Sequence, residues 1–136
     1  MPAKGRFWPL LLAGAMFGCV QAEMPETAEG RMLYLDNCAV CHGSSGAGDG
    51  AMALVLDPAP ANLTTISTRN GGAFPKARVL SVIDGYTRMR RGGPDMPEFG
   101  LLLLGDTVPV DTGDGVMTPT PRPLAALMTY LESIQR

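Results

Sequence analysis

Apolar residues recur at helical spacing near the end of the chain, where they form a single stripe. The stripe consists of Leu124, Leu127, Met128, Leu131 and Ile134, a spacing typical of an amphipathic helix. Thr120 and Pro121 precede it, and proline is favoured in the first turn of a helix. The pattern therefore predicts a helix from about Pro121 or Pro123 to Gln135.

An earlier helix is predicted from Thr27, a residue type that caps helices, to about Cys38. Gly30 lies inside it, where glycine is less favourable than alanine by about 1 kcal/mol. A close crossing with another helix would account for this glycine, and Tyr130 of the last helix is the expected neighbour.

The middle of the chain predicts a buried helix from about Pro75 to Asp84, with Gly85 as its stop. Its apolar residues exceed what one stripe requires; they are Ala77, Val79, Leu80, Val82 and Ile83. A short helix with Asp49 as its cap is also expected, ending at Leu56.

The first 22 residues have the pattern of a signal peptide. Lys4 and Arg6 precede an uncharged apolar run from Phe7 to Val20, and a small-residue cleavage pattern ends at Ala22. We expect cleavage there, which leaves residues 23–136 as one periplasmic domain without a membrane span. An uncleaved N-terminal anchor and lipid attachment at Cys19 are the alternatives.

The net charge of the chain limits the classes of partner that we expect. The full chain has 11 basic and 13 acidic residues and a net charge of −2. Loss of Lys4 and Arg6 would leave 9 basic residues and a net charge of −4. This balance favours a soluble protein and argues against nucleic-acid binding.

The candidate chemistry centres on Cys38-Ala39-Val40-Cys41-His42. Two thiols on one helical turn can form thioethers with the two vinyl groups of a haem, and the next imidazole can bind the iron. A thioredoxin-like redox pair would follow a strand, whereas a helix precedes Cys38 here. A zinc site would need four ligands. The motif thus predicts one covalently attached haem c with its iron.

The second axial ligand must come from another residue type, because His42 is the only histidine. Methionine sulfur suits haem iron and raises its potential. A weak ligand such as water and an open site are the other choices. Met96, beside Pro97 in a proline-held loop, is the favoured methionine; Met117 and Met89 are the others.

The free ring nitrogen of a ligating histidine needs a hydrogen-bond acceptor. Pro58 and Pro60 each keep a carbonyl while lacking a backbone N–H. We expect the Pro60 carbonyl, ahead of that of Pro58, to accept from His42.

Together these motifs resemble those of class I c-type cytochromes. The resemblance is carried by three features: the segment Cys38 to Gly43, the helices with Gly30 and Tyr130, and Met96-Pro97-Glu98-Phe99. It implies an all-α, cytochrome c-like fold in which the N- and C-terminal helices cross around a covalent haem. It also implies thioethers at Cys38 and Cys41, with His42 as the proximal and Met96 as the distal iron ligand.

The chain departs from many members between residues 98 and 120. About two dozen residues separate Met96 from the last helix, and they are a candidate partner surface. The run Asp111 to Gly115 faintly suggests calcium binding, but it fails the EF-hand pattern and favours a turn. Three nearby arginines, Arg88, Arg90 and Arg91, suit a solvated face, haem propionates or an acidic partner.

These features predict an electron carrier without catalytic residues, which exchanges electrons with a redox protein donor and acceptor. It would be a monomer or a subunit of a respiratory complex. An electron-transfer subunit of a respiratory oxidoreductase is one alternative. A five-coordinate haem protein that binds small gases or peroxide is the other.

Overall fold

The structure is a computed structural model that describes Met1 and residues 23–86 and 96–136. The proposed leader therefore lies almost wholly outside the described residues. So do Met89 and the three arginines between residues 87 and 95.

Five α-helices and one hairpin make up the described part of the chain. The helices are α1 (Thr27–Asn37), α2 (Ala39–His42), α3 (Ile66–Arg69), α4 (Lys76–Asp84) and α5 (Arg122–Ser133), and the strands are β1 (Thr107–Asp111) and β2 (Met117–Pro121). Two 3-10 turns, Ala51–Leu54 and Leu63–Thr65, lie between α2 and α3. Within the described ranges, no helix is both long enough and apolar enough to cross a bilayer.

The three longer predicted helices form, with small differences at their ends. The cap of α1 is Glu26 rather than Thr27, and its side chain makes no capping hydrogen bond. The helix expected after Asp49 is instead a 3-10 turn whose N-cap is Gly50. The Asp49 carboxylate lies against Gly43. Gly85 ends α4 in the left-handed conformation, as predicted.

The crossing of α1 and α5 is confirmed. A side chain at residue 30 would collide with the backbone of Ala126 and with Cβ of Tyr130. At the same contact the rings of Tyr34 and Tyr130 lie 5.1 Å apart, tilted by 48°. Only a residue without Cβ lets the two backbones approach this closely.

An ion pair joins the same two helices near their N-terminal ends. Arg122 donates from Nε to Oε1 of Glu29 at 3.1 Å and from Nη2 to Oε2 at 2.9 Å. This bidentate contact with Glu29 raises the pKa of the Arg122 guanidinium. It fixes the direction in which α5 leaves the hairpin.

The core lies on two sides of α5. The larger cluster contains Tyr34, Val79, Ile83, Phe99, Leu103, Leu124, Leu127, Tyr130 and Leu131. The smaller one places Val108 and Val110 of β1 against Ala125 and Met128 of α5. The helix therefore buries a second face that a single apolar stripe did not predict.

The second face is covered by the hairpin, which occupies much of the stretch between Met96 and α5. Its strands pair antiparallel from Thr107 opposite Pro121 to Asp111 opposite Met117. The acidic run is a turn, as favoured from the sequence: Oδ1 of Asp111 accepts from the N–H groups of Gly113 at 2.8 Å and Gly115 at 3.1 Å.

Candidate haem-binding site

The two cysteines and the histidine are placed by the junction between α1 and α2. Cys38 closes α1 by donating its N–H to the carbonyl of Tyr34 at 2.8 Å. The carbonyl of Cys38 then accepts from the N–H groups of Cys41 at 3.2 Å and His42 at 2.9 Å. One backbone turn thus fixes both thiols and the imidazole relative to each other.

Two cavities adjoin this turn. One, of about 280 Å3, is lined by Cys38, Cys41, His42 and Met96 together with the proline-rich segment around Pro60. The other, of about 440 Å3, reaches the core side chains of α4 and α5. Cys38, His42, Ala61 and Met96 line both cavities. The cavities therefore adjoin along the residues predicted to hold the iron.

The surroundings of Cys38 suit a thioether better than a thiolate. Burial, and secondarily the nearby Cys41, raise the pKa of the Cys38 thiol to about 11. A charged sulfur is disfavoured in such a place, whereas a thioether carries no charge. The residues present therefore fit a haem attached at Cys38 and Cys41, bound by His42 within reach of a largely apolar space.

The imidazole of His42 is oriented by a backbone carbonyl, but not by the predicted one. Nδ1 of His42 lies 2.9 Å from the carbonyl oxygen of Ala61. The prediction of Pro60 was wrong by one residue, because the Pro60 carbonyl turns toward Gly48. Pro60 still lines the smaller cavity. With Nδ1 donating to Ala61, the other ring nitrogen, Nε2, is the one left for iron.

Gly48 makes this arrangement feasible. Its φ is +86°, and a side chain there would strike the Pro60 carbonyl. Its N–H donates to the carbonyl of His42 at 2.8 Å. The glycine-rich loop thus brings the proline-rich segment close to the histidine.

Sequence reasoning missed Tyr34 as a residue of the site. Its hydroxyl donates to the carbonyl of Gly43 at 2.6 Å, and its side chain is fully buried. Burial, followed by the proximity of Cys38, raises the pKa of Tyr34 far above its ordinary range. The available signal was its position one helical turn before Cys38, on the same face of α1.

The methionines considered as ligands occupy different surroundings. Met96 is half-buried, packs against the larger core cluster and lines both cavities. Met117 lies at the far end of β2 and is 63% exposed, and it lines neither of those cavities. Met89 lies outside the described residues. Ligation of iron by Met96 stays a prediction.

Comparison with known protein families gives a match over most of the described chain. A model of the family described as Cytochrome c matches residues 27–135. The match begins at the first residue of α1 and includes Cys38, Cys41, His42 and Met96. No curated protein matches the chain significantly, and neither does any solved structure.

Proposed function

The chain belongs to the cytochrome c family, and from this premise we propose that it is a periplasmic single-haem electron carrier with His42 and Met96 as axial ligands. Family membership means that it carries a covalently attached haem c with iron and serves in electron transfer. The location and the ligand pair are the proposed parts.

The observation that carries the ligand assignment is the sharing of both cavities by His42 and Met96. Bound haem supplies an iron that gains and loses one electron. His42 would hold the iron through Nε2, since Nδ1 donates to the Ala61 carbonyl. Met96 offers a neutral, polarisable sulfur, which favours the reduced state and raises the potential.

The protein's own residues keep this centre unchanged as the electron moves. The core side chains along the larger cavity, such as Leu127 and Leu131, would place apolar surface against a bound haem. The backbone turn from Cys38 to His42 is held by its own hydrogen bonds. No residue of the described site is required to bind or to release a proton.

The periplasmic assignment is supported by the leader pattern of residues 1–22 and by the motif. Covalent haem attachment of the bacterial type takes place outside the cytoplasmic membrane. A redox protein donor and a redox protein acceptor complete the proposed role.

Carbon monoxide binding tests the carrier against a protein with an open iron site. With both axial positions filled, the reduced protein should keep its visible spectrum under carbon monoxide at neutral pH. Redox titration should show a single reversible one-electron step. Rapid carbon monoxide binding by the untreated reduced protein would contradict the proposal and favour gas or peroxide chemistry.

A further inference from the structure

The carbonyl that orients His42 belongs to an exposed residue, Ala61, so something else must fix its direction. On the preceding side, Pro60 has a restricted φ and lies against Gly48. This packing positions the Ala61 end of the peptide unit that contains the Ala61 carbonyl. The other end of that unit, at Asn62, needs its own contacts.

Asn62 is held through both of its oxygens. Its backbone carbonyl accepts from Nη1 of Arg69 at 2.9 Å and from the hydroxyl of Thr65 at 3.4 Å. Its side-chain oxygen accepts from the backbone N–H of Thr64 at 2.9 Å and from the Thr64 hydroxyl at 2.7 Å. These bonds hold the Asn62 side chain and the peptide unit that follows Asn62. They thereby anchor the Cα atom at which the Ala61–Asn62 peptide unit ends.

Arg69 closes this network from the end of α3. The same Nη1 that reaches Asn62 also donates to the Thr65 hydroxyl at 2.6 Å. The helix itself is tied to the end of the chain, since Ser67 donates its N–H to Oε1 of Gln135 at 2.9 Å. Arg69 thus connects a firmly anchored helix to the residue that follows Ala61.

We infer that Arg69, with Thr65, is a positioning residue: it fixes Asn62 so that the Ala61 carbonyl stays aligned with Nδ1 of His42. The inference rests on the proposed ligation of iron by His42. A well-aligned acceptor makes the imidazole a stronger electron donor, which favours oxidised iron. Loosening the network should therefore weaken the ring hydrogen bond and raise the reduction potential.

Loss of the positive charge of Arg69 would lower the reduction potential, which is opposite to the effect of loosening the network. A nearby cation favours the reduced state, because reduction lowers the positive charge of the centre. Removing Arg69 therefore mixes two effects on the potential. Thr65→Val removes two hydrogen bonds of the network, the one to the Asn62 carbonyl and the one from Arg69, without changing any charge. Thr65→Val is nearly isosteric, so its effect on packing is small.

The experiment compares the haem-loaded protein with three variants: Thr65→Val, Arg69→Met and Arg78→Met. Arg78 is the matched control, since it lines the same larger cavity as Arg69 but has no hydrogen bond to residues 61–69 in the described structure. Two quantities are measured: the reduction potential, and the exchange rate of the His42 Nδ1 proton in the reduced protein by NMR.

Thr65→Val should raise the potential and speed proton exchange. Arg69→Met should speed exchange about fivefold, the factor that one net hydrogen bond is worth. Arg78→Met should leave exchange at the wild-type rate. The inference is overturned if exchange is unchanged in both network variants, or if Arg78→Met accelerates it equally. A wild-type protein without an iron-bound His42 signal would overturn the proposed ligation as well, before any variant is compared.

Discussion

The hydroxyl of Tyr34 connects the first helix to the turn that follows His42. It is buried and donates to the carbonyl of Gly43 at 2.6 Å. The carbonyl lies in a buried residue, so it would lose its side-chain donor if the hydroxyl were removed. The carbonyl would keep the N–H of Gly46 as a donor at 3.1 Å, so the loss is close to the net value of one hydrogen bond.

Tyr34→Phe should therefore lower the free energy of unfolding by about 0.5–1.5 kcal/mol. Chemical denaturation of the haem-loaded protein measures this change. Tyr86→Phe is the matched control, because Tyr86 is 58% exposed, and it should be close to neutral. Equal stability of Tyr34→Phe and wild type would contradict the role assigned to this hydroxyl.

Single residues also show where sequence reasoning reached its limit. Cys38, Cys41 and His42 were predicted as the haem-attachment residues because bond formation dictates their spacing. The acceptor for His42 was assigned one residue too early, to Pro60 instead of Ala61. Every residue carries a carbonyl, so which one meets the ring depends on packing against Gly48, a contact that the local sequence does not encode.

At the scale of elements, the crossing of α1 and α5 depends on Gly30. Gly30→Ala places a methyl group against the backbone of Ala126, and backbone cannot move aside as a flexible side chain can. We expect a loss of about 2–3 kcal/mol in unfolding free energy. Thermal unfolding is the measurement, and Arg31→Ala on the exposed side of α1 is the control. An unchanged melting temperature would mean that the helices do not cross as closely as described.

The hairpin is the element that the sequence did not predict. Its strands contain Pro109, Pro119 and Pro121, which remove ladder donors and weaken the strand signal. Buried and exposed residues nevertheless alternate along β1, since Val108 and Val110 face inward and their neighbours face outward. Helices were predictable from their own periodicity, whereas this ribbon is defined by its contact with α5.

The turn of the hairpin should make stability depend on pH through Asp111. Two backbone N–H groups bind its carboxylate, and this lowers its pKa. A lowered folded-state pKa means that the contribution is present above the unfolded pKa of about 4 and is lost as pH falls through the folded value. Asp111→Asn should thus be less stable than wild type at neutral pH, with the gap closing in acid.

Urea unfolding of wild type and Asp111→Asn, from neutral pH into acid, measures the difference in their unfolding free energies. Asp36→Asn is the control, since Asp36 is exposed on α1 and has no hydrogen bond among the described residues. A constant difference between Asp111→Asn and wild type at every pH would contradict the assignment.

At the scale of the whole molecule, three separate parts of the chain meet around one site. The α1–α2 junction supplies the cysteines and His42, the segment around Ala61 orients the imidazole, and Met96 approaches from the stretch before the hairpin. The crossing of α1 and α5 holds the surrounding core. This arrangement fits a protein whose task is to move an electron while its ligands remain bound.

The visible spectrum of the oxidised protein, measured beside that of Met96→Ala, tests the central claim most directly. Methionine bound to ferric haem gives a weak long-wavelength charge-transfer band. Wild type and the control Met117→Ala should show this band, and Met96→Ala should lose it. A band that survives in Met96→Ala, or a wild-type spectrum that lacks it, would contradict ligation by Met96.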